Sequence, residues 1–189
     1  MAFPSIDFMV ILQLVIVLVG ATALLLVDLF IPAGRKRVTA LLALAISVAA
    51  LVAGSYATTG TTLSAMISFG PVSHAVNTVI LAATAISILL ASDALPKHGI
   101  ERSETYVLML LASGGMLLLT QGTSLATLFL GLELLSIALY VLTAIAFPNI
   151  ASEEAGLKYL IVGAFGAGFL VFGIALTFGC LLYTSPSPR

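Results

Sequence analysis

Charge is what this sequence has least of. Asp, Glu, Lys and Arg together make up 8% of its 189 residues, where a soluble domain carries roughly a quarter. With 61% hydrophobic residues and a mean hydropathy of +1.23, no water-soluble fold could hide the apolar surface, so lipid is the solvent for most of the chain. The formal net charge is −1, which supplies no field to draw nucleic acid. The single cysteine, Cys180, makes no intrachain disulfide and no cysteine-rich metal or iron–sulfur site. The two histidines, His74 and His98, fall in connections on opposite sides of the membrane, so no metal constellation forms. A basic leader is missing too. Phe3-Pro4-Ser5-Ile6-Asp7 carries no Lys or Arg, and the apolar run that follows exceeds the roughly 7–15 residues of a signal core. It reads as a first transmembrane helix.

What the chain has in abundance is long apolar runs. About 20 apolar residues cross a hydrocarbon core of about 30 Å. Residues 8–30 meet that length and end at Ile31-Pro32-Ala33-Gly34. Residues 38–57 follow and end at Thr58-Thr59-Gly60. Residues 75–95 end at Pro96. Residues 105–147 would make one helix roughly 65 Å long, about twice the core thickness, so the run must break. Gln121-Gly122-Thr123-Ser124 is the turn, giving helices 105–120 and 124–147, the latter closed by Pro148. Residues 154–183 form the sixth. The expected fold is therefore all-α: a polytopic membrane bundle of six transmembrane helices. Met66–Gly70 belongs to the second connection, at the interface, and is no span. Residues 184–189, Thr-Ser-Pro-Ser-Pro-Arg, cannot extend a helix or begin another. They are expected to be disordered and foreign to the helical part, as at a truncation.

Basic residues orient the bundle. Arg35, Lys36, Arg37, Lys97 and Arg102 all lie in the first and third connections, and none lies in the second or fourth. The positive-inside rule places the first and third connections in the cytoplasm and the N-terminus outside.

Most acids flank helices: Asp7, Asp28, Asp93, Glu101, Glu104, Glu153 and Glu154. The simplest reading of nearly all is a solvated helix end. Glu133 differs, because it lies about nine residues into its span. An ionised side chain there costs about 3 kcal/mol on insertion scales and persists only beside protein, water or a cation. Intramembrane acids mark ion or proton pathways; the bland alternative is a protonated glutamic acid held for structure. Ser136, Tyr140 and Thr143 follow at i+3, i+7 and i+10, on the same helix face. That hydroxyl stripe could order water, although short hydroxyl residues are also common in lipid-facing helices. Lys158 lies about one turn inside the sixth helix, where snorkelling explains it as well as a relay role does. Glu133 and Lys158 differ in depth by roughly 15 Å, so a direct ion pair is excluded. Gly156, Gly163, Gly166 and Gly173 fall within roughly 100° of one face of that helix. They are read as a helix-packing surface rather than a phosphate loop, since no strand precedes them.

Two stretches carry a resemblance. Leu128-Phe-Leu-Gly-Leu-Glu133-Leu-Leu-Ser136-Ile-Ala-Leu-Tyr140-Val-Leu is similar to the fifth-helix signature of the antiporter-like subunit N of proton-pumping NADH:quinone oxidoreductases. Glu154-Ala-Gly-Leu-Lys158-Tyr-Leu-Ile-Val-Gly163-Ala-Phe-Gly166 resembles that family's sixth helix. Leu24-Leu-Leu-Val-Asp28-Leu-Phe resembles the end of its first. The resemblance covers residues 1–179 and implies an antiporter-like fold of fourteen helices with two inverted five-helix repeats. Glu133 matches the family's fifth-helix glutamate and Lys158 its sixth-helix lysine, so both are candidate proton-relay residues. The seventh- and eighth-helix lysines have no counterpart here, and from Tyr183 onward the sequence departs from the family.

The resemblance implies a multi-pass subunit of the cell inner membrane that couples electron transfer from NADH to quinone to proton transport. It implies no cofactor in this chain, with NADH, flavin, iron–sulfur clusters and quinone bound by other subunits. The implied partners are those membrane subunits, the lipid bilayer and the quinone. The chain alone is expected to be inactive. Two alternatives stay open: a subunit of a multisubunit cation/proton antiporter, and a non-catalytic membrane scaffold in which Glu133 is replaceable by Gln.

Overall fold

The computed structural model describes residues 7–30, 36–97, 99–100 and 102–184. The expectations for residues 185–189 lie outside them, as do the positions of Arg35, His98 and Glu101. Six α-helices follow one another: α1 (Leu12–Asp28), α2 (Lys36–Ala53), α3 (Pro71–Lys97), α4 (Glu104–Gln121), α5 (Leu125–Thr143) and α6 (Ile150–Thr184). A small antiparallel hairpin, β1 (Gly60–Thr62) and β2 (Ile67–Phe69), lies between α2 and α3. By length and apolarity, α3, α5 and α6 suffice to cross a membrane, and α1 and α2 are shorter apolar helices.

Helix ends depart from the sequence expectation where local chemistry overrides hydropathy. α2 stops at Ala53 rather than continuing to residue 57, because the chain turns at Gly54, whose missing Cβ makes room for the Gln13 amide. α3 begins four residues early, at Pro71, a residue preset for the first helical turn. It also runs through Pro96 to Lys97. α5 ends at Thr143 instead of 147, and α6 starts at Ile150 instead of 154. There Asn149 acts as the cap: its side-chain oxygen accepts from Ala151 N–H at 3.0 Å and its carbonyl from Glu153 N–H. Thr184, read as the first tail residue, is the last residue of α6. The chain does break after Gln121, where Gly122 turns extended and Ser124 caps α5 by accepting from Thr127 N–H at 3.1 Å.

Polar contacts fix which loops share an end of the bundle. At one end, Asp28 accepts from Thr39 Oγ1 at 2.8 Å and from Ser103 Oγ at 2.7 Å, joining α1 to the starts of α2 and α4. Beside it, Arg102 donates to the Phe147 carbonyl at 2.9 Å and lies over the Phe147 ring. Asp28 is thus a half-buried clamp rather than a solvated helix end. At the other end, the hairpin closes the bundle. Thr62 accepts from Asp7 N–H at 2.9 Å, Ile67 bridges to Gly122, and Thr123 N–H donates to the Met66 carbonyl at 3.0 Å. Residues 66–70, expected at the interface, therefore supply a strand that caps the helix ends, with Ile67 and Phe69 buried.

One buried polar chain crosses the core near the hairpin. Asn77 Nδ2 donates to Gln13 Oε1 at 3.0 Å, Gln13 Nε2 donates to the Ala50 carbonyl at 3.3 Å, and Thr120 donates to Asn77 Oδ1. Gln13 and Asn77 are 1% and 0% exposed, so water cannot replace these bonds. Asn77→Leu is expected to destabilise the bundle by about 1–2 kcal/mol, because it leaves the buried Gln13 Oε1 without its donor, while Thr120 keeps its bond to the Leu117 carbonyl at 2.8 Å. Gln13→Leu on top of it should recover part of the loss, since both partners are then apolar. Unfolding in detergent micelles checks this; a purely additive double variant would count against the account.

Candidate functional site

Glu133 lies in the middle of α5, roughly 12 Å from its start and 15 Å from its end. At about 100° per residue, Gly131, Leu135 and Ala138 share one face of α5, and Glu133, Ser136 and Tyr140 share the opposite one. The first face is sealed against α4. A Cβ on Gly115 would stand 2.6 Å from Leu135 N and 2.8 Å from the Gly131 carbonyl, and one on Gly131 would meet Leu119 N at 3.0 Å. The two helices touch backbone to backbone, which only glycine permits. This seam fixes the rotation of α5 and turns Glu133 away from α4.

The second face meets α6. Tyr140 stacks edge-on against Tyr159, ring centroids 4.8 Å apart, and its hydroxyl occupies the space a Cβ would take at Gly163. One turn on, Gly156 lies against Ala144, where a Cβ would come within 2.6 Å. Of the four glycines expected to pack, Gly156 and Gly163 face α5. Gly166 and Gly173 have nothing within 4 Å of a Cβ, and they lie in the half of α6 beyond these contacts. An apolar cleft of about 360 Å³ sits between the two helices, lined by Ile137, Tyr140 and Leu160 among others.

Glu133 itself is half-buried. Its Oε1 is shielded from solvent and finds no hydrogen-bond partner among the described residues. A buried, unsatisfied carboxyl oxygen is costly and calls for water, a proton or a cation. Lys158 does not supply the cation. It pairs with Glu154 Oε1 one turn away at 2.5 Å, and the two side chains are 72% and 59% exposed. Gly156 lies level with Ala144, which puts Lys158 near the level of Leu142 and leaves it about 14 Å from Glu133 along the helices. Tyr140 stands between their levels. The hydroxyl stripe is not uniform: Thr143 is exposed and donates back to the Leu139 carbonyl at 2.8 Å, while Ser136 and Tyr140 are half-buried.

Several residues that shape this region were not singled out from the sequence. Gly115 and Gly131 set the α4–α5 seam, and the Gly114-Gly115 pair in an apolar helix was the available signal. Gln121 is 1% exposed, and neither side-chain amide atom finds a partner among the described residues; a glutamine read as turn chemistry gave no hint of that. No cluster of three or more metal-ligating side chains occurs among the described residues.

The family of the transmembrane region of NADH:quinone oxidoreductases and Mrp antiporters matches residues 122–183, which contain α5, most of α6 and both candidate relay residues. Subunit N 2 of NADH-quinone oxidoreductase from Roseiflexus castenholzii is 50% identical over 93% of this chain and 36% of its own length. The subunit N of Chloroflexus aggregans is 46% identical over 95% of this chain and 37% of its own. Along most of its length the chain is similar to subunit N proteins. It spans somewhat over a third of the length of these curated relatives. Among solved structures, respiratory complex I from Thermus thermophilus with bound aureothin contains a chain that superposes with a TM-score of 0.72. That match has 27% identity and covers 88% of this chain and 36% of the other. The likeness places the bundle in the antiporter-like class of membrane subunits and makes it a multi-pass membrane protein. In this chain the α4–α5 glycine seam and the α5–α6 tyrosine contact are what position Glu133.

Proposed function

We propose that this chain forms part of the proton-translocating membrane subunit of an NADH:quinone oxidoreductase, in which electron transfer from NADH to quinone drives protons across the membrane. The observation that carries the reading is the buried, unpartnered Oε1 of Glu133 at mid-helix, in a chain similar along most of its length to subunit N proteins. In this reading Glu133 is the proton-carrying group, and Ser136 and Tyr140 order water toward the level of Lys158. Lys158 is the secondary relay residue, and its exposed pairing with Glu154 makes its share smaller. NADH, flavin, iron–sulfur clusters and quinone belong to other subunits. All six helices cross the inner membrane, with the basic connections in the cytoplasm and the N-terminus outside. Antiparallel alternation of the helices, tied at one end by Asp28 and Arg102 and at the other by the hairpin, supports the crossing pattern.

One observation favours a second reading. The matching family also includes Mrp antiporters, and a mid-membrane glutamate would serve cation/proton exchange without redox coupling. Affinity purification of the tagged protein from native membranes separates the two. NADH oxidation coupled to quinone reduction in the eluate is expected. An eluate that exchanges cations for protons in liposomes but oxidises no NADH would establish the antiporter instead.

A further inference from the structure

A second hollow lies far from Glu133, between α2 and α3, at the end of the bundle where the basic connections gather. It has a volume of about 320 Å³. Its floor is made by Ala40 and Ile88, 5% and 1% exposed; the small side chain of Ala40 is what leaves the space. Leu41 and Leu89 rise on either side, 64% and 51% exposed. The walls run from Arg37 at the mouth to Leu44 at the inner end, roughly 10 Å along α2. The hollow is therefore charged at the membrane boundary and apolar further in.

Its mouth carries an excess of positive charge. Asp93 lines it, but its carboxylate is taken by Lys97 at 2.5 Å. Arg37 forms no ion pair among the described residues. Two cations, Arg37 and Lys97, thus stand against one anion beside an apolar slot. An uncharged transmembrane segment would cover Leu41 and Leu89 but leave Arg37 without an anion. A free anion would satisfy Arg37 but leave the slot unfilled. One molecule meets both demands: a phosphate attached to an acyl chain. A zwitterionic headgroup brings its own cation to a mouth that is already positive, so an anionic headgroup is the better match. We propose that the α2–α3 cleft is a binding site for an anionic phospholipid, its phosphate on Arg37 and its acyl chain over Ala40 and Ile88.

The test uses the purified protein reconstituted in nanodiscs of equimolar phosphatidylcholine and phosphatidylglycerol, then stripped with detergent and weighed by native mass spectrometry. Retention of phosphatidylglycerol over phosphatidylcholine is expected. Arg37→Gln should reduce that retention about tenfold, the effect of one lost bond to a charged group. Ala40→Leu fills the slot without changing charge and should reduce it likewise. Arg102→Gln, which removes a basic residue already bonded to the Phe147 carbonyl, should leave it unchanged. Equal retention of the two lipids overturns the proposal, as does an Arg37→Gln protein that behaves like Arg102→Gln. Displacement of the lipid by inorganic phosphate, with Ala40→Leu without effect, identifies a simple anion site and overturns it too. Circular dichroism on each variant separates lost binding from lost fold.

Discussion

Glu133→Gln is expected to lower NADH-driven proton transport at least about tenfold in the assembled membrane complex, while NADH oxidation by an artificial acceptor that bypasses quinone stays unchanged. The figure is set below the roughly hundredfold or more that a positioned proton-transfer group contributes. Glutamine keeps the size and hydrogen-bonding capacity of the side chain but cannot carry a proton. In the structure Glu133 Oε1 is buried with no partner among the described residues, so its interaction must come from a transferable proton, water or a cation. The face on which it sits is held by the α4–α5 seam on one side and by Tyr140 against Gly163 on the other. Glu133→Asp, which retains a titrating group on a shorter stem, should recover part of the transport. Lys158→Met should cost less than about twofold, because the Lys158 ammonium is already paired with Glu154 one turn away. Acidification of inverted membrane vesicles measures all three. Full transport per electron in Glu133→Gln would remove the relay role and leave a structural glutamate.

Gly115→Ala should destabilise the bundle by about 2–3 kcal/mol. The added Cβ would stand 2.6 Å from Leu135 N and 2.8 Å from the Gly131 carbonyl. Both neighbours are backbone atoms of a helix, which cannot rotate away as a side chain can, so α4 and α5 must separate along the seam. Overpacking of this kind costs 1–3 kcal/mol where side chains can yield, and here they cannot. Gly131→Ala should be milder, since its nearest contact is 3.0 Å. Gly166→Ala meets nothing within 4 Å and should be neutral or slightly stabilising, because alanine favours helix. Unfolding in mixed micelles should rank Gly115→Ala below Gly131→Ala, and that below Gly166→Ala. A Gly115→Ala protein as stable as the parent would refute the backbone contact. Because the seam also sets the rotation of α5, Gly115→Ala should reduce proton transport even where the protein assembles.

The break between α4 and α5 was legible because hydrocarbon thickness limits helix length, and Gly122 stands where the limit falls. Glu133 was legible for a related reason: a carboxyl in an apolar run is conspicuous against 8% charged residues. Helix ends were less so. Hydropathy extended α2 past Ala53 and delayed α6 to residue 154, because it does not see that Gly54 turns around Gln13 or that Asn149 caps the next helix. The hairpin was hidden because its strands of three residues carry too short an alternation to stand out from an apolar loop.

What the sequence determined alone is what depends on one chain segment and its solvent: an apolar helical bundle, its break at Gly122, its basic and neutral ends, and an acid at mid-helix. Only the tertiary structure decided what depends on two segments at once. It selected Gly115 and Gly131, rather than the full glycine row of α6, as the closest seam, because close packing is a property of the facing backbone. It turned Asp28 into a clamp and joined Gln13 to Asn77, because buried polar groups take whichever partner the fold brings within reach. It also paired Lys158 with Glu154 and left Glu133 Oε1 unpartnered among the described residues, since distance across the bundle, not spacing along the chain, determines which charges can meet.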